Sequence, residues 1–400
     1  MTDTPSRAAA GTAPSILMLA LVSGLGPLSL NIVVPSVPSI AAAFSTGYAT
    51  AQLVVTVFII AMALGQLVIG TLSDALGRRP ILLAGMMIYV IGSAMCALAP
   101  TVEVLIASRF IEAVGGVSGV VLARAIIRDV YHRDQAASAL GYVTMVMVVA
   151  PMLAPAAGGV LDDLVGWRAG FALLTAVGLG LLLLAHARIA ETNLNARQRP
   201  RFGALTGSFV TLLAIPAFLA FTGAMSFASA TFFTFLGAAP HVVIELMGNT
   251  PTEYGLAFVS ISIAFMTGNF TAARLSSRLG TMPLIIAGSI LCLVGALVMS
   301  GFVYFGELTT ATLFGSMMII TFSNGTLMPA AIASAVSVRP DLAGAASGLS
   351  GSIQFSVAAS ATYVVALLAD GTAWPMIWML VLFAVASLIA AMAAWRLSPA

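Results

Sequence analysis

Residues 51–80 read AQLVVTVFIIAMALGQLVIGTLSDALGRRP. The stretch 51–72 carries no charge. As a helix rising about 1.5 Å per residue, it is long enough to cross the roughly 30 Å hydrocarbon core of a bilayer. In lipid every backbone N–H and C=O must bond within its own segment, so the run is a helix. A barrel strand would be about half as long and would alternate. The polar cluster from Ser73 to Pro80 then ends it. Composition extends this reading to the whole chain. Of 400 residues, 60% are hydrophobic and only 8% charged. A soluble domain carries roughly 25% charged residues and needs them to cover its surface. The partner here is a lipid bilayer. A net charge of +2 supplies no field for nucleic acid. All 16 basic residues are Arg, so a phosphate-binding loop, which requires Lys, is excluded and ATP is not the energy source. Cys96 and Cys292 sit in apolar runs and read as small core hydrophobes. No metal site and no cofactor is implied. Arg7, an apolar stretch and Ala41–Ala43 imitate a cleavable signal, but the stretch 15–34 is long for one and many like it follow.

Twelve such runs occur. The first is 15–34, the fifth 136–161, the seventh 211–236 and the last 374–394. One connection is longer and charged, with Arg188, Glu191, Arg197, Arg199 and Arg201. It divides the chain into bundles of six spans at 1–187 and 208–400, joined by a linker at 188–207. With both termini in the cytoplasm, 14 of the 16 Arg fall on or near cytoplasmic ends; Arg168 and Arg109 are the exceptions. The halves repeat. LSDALGRRP at 72–80 aligns with LSSRLGTMP at 275–283, an offset of 203, and the match continues through Gly85/Gly288 and Gly92/Gly295. AASAL at 136–140 aligns with AASGL at 345–349, offset 209. Both members of each pair fall on the same side of the membrane. This predicts an all-α membrane protein of 12 helices, two six-helix bundles related by a parallel pseudo-two-fold axis.

The loop GTLSDALGRRP at 70–80 resembles the G-x-L-x-D-x-x-G-R-R signature of the major facilitator superfamily. Gly70 and Gly77 permit close helix approach and a tight turn. Asp74 can sit against the positive N-terminus of another helix, such as the eleventh span near Gly344. Arg78 or Arg79 can pair with Asp129 or Asp134. Together these residues would form a cytoplasmic gate that latches the bundles, or the Arg residues only set topology. RFIEAVGG at 109–116 resembles the superfamily's R-F-x-x-G-x-G element. APMLAPAAGG at 150–159 resembles its antiporter motif G-P-x-x-G-G, with Pro155 bending the helix and Gly158 and Gly159 admitting a second backbone. The chain as a whole is similar to the bicyclomycin/chloramphenicol drug:H⁺ antiporters, through GPLSLNIVVP at 26–35, AIIRDVY at 125–131, Trp167-Arg168 and AGAASGL at 343–349. That resemblance implies export of small hydrophobic drug-like molecules in exchange for protons, by alternating access, from a bacterial inner membrane. The protein is expected to work as a monomer and not as an enzyme.

The family usually carries Asp in the first span where this chain has Asn31, and an amide cannot take up a proton. Glu112 is the only acidic residue well inside a span, and Arg109 lies three residues earlier on the same face. Charges at that depth are expensive, so function is the default reading. Glu112 with Arg109 is the expected proton-coupling pair; the alternative is a static ion pair. Phe227, Phe232 and Phe233 of the seventh span and Met145 and Met147 of the fifth suit varied apolar cargo, and the amides of Asn31, Asn324 and Gln354 can hydrogen-bond it. The Phe and Met residues read more readily as packing or lipid-facing side chains, and the amides equally well as bonds between neighbouring helices. Three rivals stand beside drug export: a transporter of a metabolite such as an amino acid or sugar, a facilitator without proton coupling, and a membrane-embedded enzyme, for which no buried nucleophile–base pair is visible.

Overall fold

The computed structural model describes residues 14–131, 133–193 and 202–397, and it is helical with no strand among them. The helices are α1 (Ile16–Ile32), α2 (Val37–Ala43), α3 (Tyr48–Leu76), α4 (Arg78–Ala97), α5 (Val102–Val130), α6 (Arg133–Val165) and α7 (Arg168–Arg188). They continue as α8 (Phe202–Leu213), α9 (Pro216–Pro240), α10 (Pro251–Leu279), α11 (Thr281–Tyr304), α12 (Thr310–Ser337), α13 (Ala343–Leu367) and α14 (Trp374–Leu397). Among the described residues eleven helical segments are long and apolar enough to cross a membrane. The 33-residue α6 is the twelfth long helix.

Two spans depart from the expected bounds, and proline is the reason in both. The first crossing does not end at residue 34. It breaks into a 3₁₀ turn, Val34–Ser36, resumes as α2 and continues to Ala43. Pro35 and Pro38 lack the N–H that an unbroken α-helix would use there. The seventh crossing does not start at 211. α8 stops at Leu213, and Pro216 opens α9, a position where its missing N–H has no helical partner to lose. The crossing then runs from Pro216 through a π-helical turn to Leu246. α8 begins at Phe202, so helix enters the stretch read as linker.

The internal repeat is built into the packing. α3 ends at Leu76 and α10 at Leu279, again 203 residues apart. Gly77 and Gly280 follow them with φ of 103° and 79°, where a side chain would be strained. Within the first half α3, α4 and α1 pack on α5, α1 packs on α6, and α4 on α7. The second half repeats each pairing: α10, α11 and α9 on α12, α9 on α13, and α11 on α14. The halves meet through α3–α13 and α6–α10, which are symmetry mates of each other. Long apolar side chains such as Leu183, Leu382 and Ile389 remain exposed on the outside, as a lipid-facing surface requires.

The repeated glycines hold the helix seams together. A Cβ on Gly92 of α4 would lie 2.5 Å from the Glu112 nitrogen of α5, and one on Gly295 of α11 2.7 Å from Ile320 of α12. Gly92→Val is expected to force α4 off α5 and destabilise the protein by about 1–3 kcal/mol, read as a lower melting temperature in detergent. Gly301→Val, where a Cβ meets nothing within 4 Å, is the control expected to leave it unchanged.

Candidate functional site

The deep charged pair lies inside the first half. Arg109 and Glu112, three residues apart on α5, are both 0% exposed, and Nη1 sits 2.7 Å from Oε2. The guanidinium also donates to the Val54 carbonyl at 3.0 Å, to Ser29 Oγ at 2.9 Å and to the Ser29 carbonyl at 3.3 Å. It lies 4.1 Å from the centre of the Phe58 ring, a cation–π contact. Glu112 accepts from Ser29 Oγ at 2.6 Å and Ser93 Oγ at 2.7 Å, with Cys96 Sγ at 3.6 Å. Every acceptor site of the carboxylate therefore faces a donor, which is the condition for burying a charge at all. The cluster ties α1, α3, α4 and α5 together. Neither charged residue lines the central cavity.

That cavity, about 260 Å³, lies between the halves. Seven helices contribute: α1, α3 and α6 from one half and α9, α10, α12 and α13 from the other. Each wall is one helical stripe. α10 presents Phe258, Ile261, Ser262 and Phe265, and α9 presents Ser229, Phe232 and Phe233, each set recurring one turn on, at steps of three and four. The rings touch in a chain. Phe232 meets Phe233 at 5.4 Å and Phe258 at 6.1 Å, and Phe233 meets Phe355 at 6.2 Å. No ionisable side chain lines the cavity among the described residues.

The two ends of the molecule differ. At the Arg-poor end, where α3, α6 and α10 meet across the halves and Arg168 opens α7, the seam is closed. Tyr48 Oη donates to the Gly237 carbonyl at 2.9 Å, and the Thr252 N–H donates to Asp163 at 2.9 Å. Gly159 and Gly255 sit so close to Pro251 and Pro155 that a side chain on either would collide. At the Arg-rich end, Arg78 pairs with Asp129 at 2.9 Å and with Asp74 at 2.5 Å, and Glu191 accepts from the N–H groups of Arg78 and Arg79 that open α4. All of these residues precede the second half. The inter-bundle latch expected of Asp74 is not formed here: Asp74 is turned to Arg78, its side chain 66% exposed, and Gly344 at the start of α13 faces open space. Asp134 and its side chain lie outside the described contacts.

A family model for the Major Facilitator Superfamily matches residues 19–362. The chain belongs to that superfamily. It is 29% identical over 366 residues to the bicyclomycin resistance protein homolog of Haemophilus influenzae, covering 91% of each chain. It is 29% identical to multidrug resistance protein D of Escherichia coli, covering 85% of each, and 28% identical to a chloramphenicol resistance protein of Pseudomonas aeruginosa, covering 91% of this chain and 87% of that one. Its fold is like that of a bacterial homolog of the human lysosomal transporter Spinster (TM-score 0.76, 17% identity, 96% and 98% covered) and of the xylose transporter XylE from Escherichia coli (TM-score 0.70, 15% identity, 96% and 98% covered). This is a multi-pass membrane transporter of the superfamily, with relatives named for resistance to several drugs.

The superfamily member's predicted site residues divide accordingly. Asn31, Phe232, Phe233, Asn324 and Gln354 line the cavity. Phe227 does not; it stacks on Phe383 of α14 at 6.3 Å and belongs to helix packing. The Met145 side chain lies outside the described residues; Met147, two residues on, lines the cavity. Pro155, Gly158 and Gly159 lie where α6 meets α1 and α10. Phe258, Phe265, Phe355 and Ser229 were missed, although the spacing of aromatic and hydroxyl residues on α9 and α10 carries the signal. For the buried pair, Glu112→Gln is expected to leave the guanidinium without a counter-charge and to destabilise the protein by roughly 3–5 kcal/mol. Replacing both members together, Arg109→Met with Glu112→Leu, should recover much of that loss in the same melting assay.

Proposed function

We propose that this transporter exports small, uncharged, hydrophobic drug-like molecules by alternating access, in exchange for protons. The cavity carries the first part of the reading: an aromatic and thioether wall with a few neutral polar groups, set between two bundles, suits apolar cargo of varied shape. A charged molecule would find no counter-charge there. Relatives named for bicyclomycin, chloramphenicol and multidrug resistance support a drug as the cargo. With the Arg-rich end in the cytoplasm, as the Arg distribution favours, the closed seam is the outer one and cargo enters from inside. The halves 1–187 and 208–400 then rock about the cavity, and parting of Tyr48 from Gly237 and of Asp163 from Thr252 opens the far side.

Exchange for protons rests on Glu112. What supports it is α1, whose Pro27, Leu30 and Asn31 face the cavity while Ser29, on the opposite side of the helix, bonds both Glu112 and Arg109. Cargo that moves α1 would disturb the pair. A second reading, facilitated export with a static pair, is favoured by the complete burial of both charges. Adding cargo to the solubilised protein is expected to release protons, and a Ser29→Ala variant to release fewer per cargo bound. Cargo binding with no change in proton release as pH varies would leave the facilitator. Export of none of a panel of hydrophobic antibiotics, with uptake of sugars or amino acids instead, would overturn the reading of the cavity itself.

A further inference from the structure

The seam that closes the Arg-poor end contains buried polar groups with no partner. Tyr48 and Gln66 mark the two ends of one stripe on α3. Tyr48 bonds the Gly237 carbonyl of α9 and stacks at 5.0 Å on the His241 ring just beyond that helix. Gln66 lies against Gly351 of α13, where a Cβ would come 2.7 Å from its Oε1. Both contacts cross between the halves. Gln52 and Thr56 fall between Tyr48 and Gln66 on the same face, at steps of three or four residues that continue through Ile59 and Ala63. Gln52 is 0% exposed and Thr56 3%. Neither Oε1 nor Nε2 of Gln52, nor Oγ1 of Thr56, has a hydrogen-bond partner. The second half adds a third such group. Thr234, seven residues before His241 and so on the same face, is fully buried with its Oγ1 unpaired.

A glutamine brings a carbonyl and two N–H donors, and burying all of them unbonded costs their full desolvation. That cost exists only while the seam is closed, because parting the halves puts water beside the stripe. The symmetry-related seam carries no such load. The 203-residue offset sets Gln52 opposite Gly255 of α10, and Gly255 approaches the Pro155 backbone of α6 so closely that a Cβ would lie 2.3 Å from its carbonyl oxygen. One seam closes on backbone and the other on an orphaned amide. We infer that Gln52, with Thr56 and Thr234 beside it, is a conformational counterweight. It penalises the form in which the Arg-poor end is shut, and so sets the balance between the shut and open forms of that end. No cargo touches these groups in the shut form. They act through the water they lose when the end closes.

The inference takes from the export reading only that the halves part, and its test needs no cargo. Spin labels are placed on the purified full-length protein through Leu98→Cys and Phe305→Cys, exposed positions at the Arg-poor ends of α4 and α11, one on each half. Cys96 and Cys292 are buried and stay unlabelled. Double electron–electron resonance then reads the separation, and opening of that end adds a longer distance. Gln52→Met, of similar length without the polar atoms, is expected to lower the fraction at the longer distance about tenfold and to raise the melting temperature in detergent. Gln52→Glu, which buries a charge whenever the end shuts, is expected to raise that fraction above that of the unaltered protein. A Met variant that melts no higher, or fails to fold, overturns the inference, since the amide would then be bonded in the shut form. So does a longer-distance fraction that Gln52→Met leaves in place or that Gln52→Glu leaves unraised. A distribution that moves as expected in a protein exporting no drug would remove the export reading and keep this inference. Drug export with an unmoved distribution would do the reverse.

Discussion

Hydrocarbon offers no hydrogen bonds, and that constraint shapes every part of this transporter. Each span is helical because its backbone has no other partner. Prolines mark the places where the helix gives way, at Val34–Ser36 and before Pro216. Hydroxyls within spans mostly bond back to their own helix, as Ser108 does to Val104 and Thr362 to Ala358. The two charges placed deep in the apolar layer appear together and with their donors and acceptors matched. A carboxylate with fewer donors, or a guanidinium with fewer acceptors, would not be tolerated at that depth.

The same constraint separates what is rigid from what can move. Within each half, glycines bring backbones into contact and the pairings repeat from one half to the other. Between the halves, polar contacts at the Arg-poor end are few and local, Tyr48 with Gly237 and Asp163 with Thr252. The interior of a half is tied by close backbone approach, and on the alternating-access reading the seam is where the halves part. α1 joins the two regimes, with the cavity on one side and the ion pair on the other.

Much of this was legible in the chain. The turn at 70–80, the 203-residue repeat and the depth of Glu112 are local features, and local features survive without knowledge of neighbours. The proline breaks were legible too, since Pro35, Pro38 and Pro216 stand in plain view, but apolar run length drowned them. Side-chain direction was not legible. Phe227 and Phe232 are five residues apart and so point about 140° away from each other around α9; nothing local says which one faces the cavity. Asp74 illustrates another limit. Its type suits both a helix N-terminus across the seam and an Arg one turn on, and the relative position of the halves selects Arg78.

By itself the sequence determined a helical membrane protein of twelve spans with a duplicated half, because apolar length, charge and turn residues act along the chain; transport entered through the motifs that resemble a known family. Only the tertiary structure decided that Glu112 is sealed among Ser29, Ser93 and Arg109 instead of facing the cavity. It alone decided that the Asn31 and Asn324 amides turn their nitrogens to the Pro27 and Ala228 carbonyls. Those outcomes depend on which helix lies beside which, and a carbonyl from a neighbouring turn or helix settles the orientation of an amide in a way that no run of residues records.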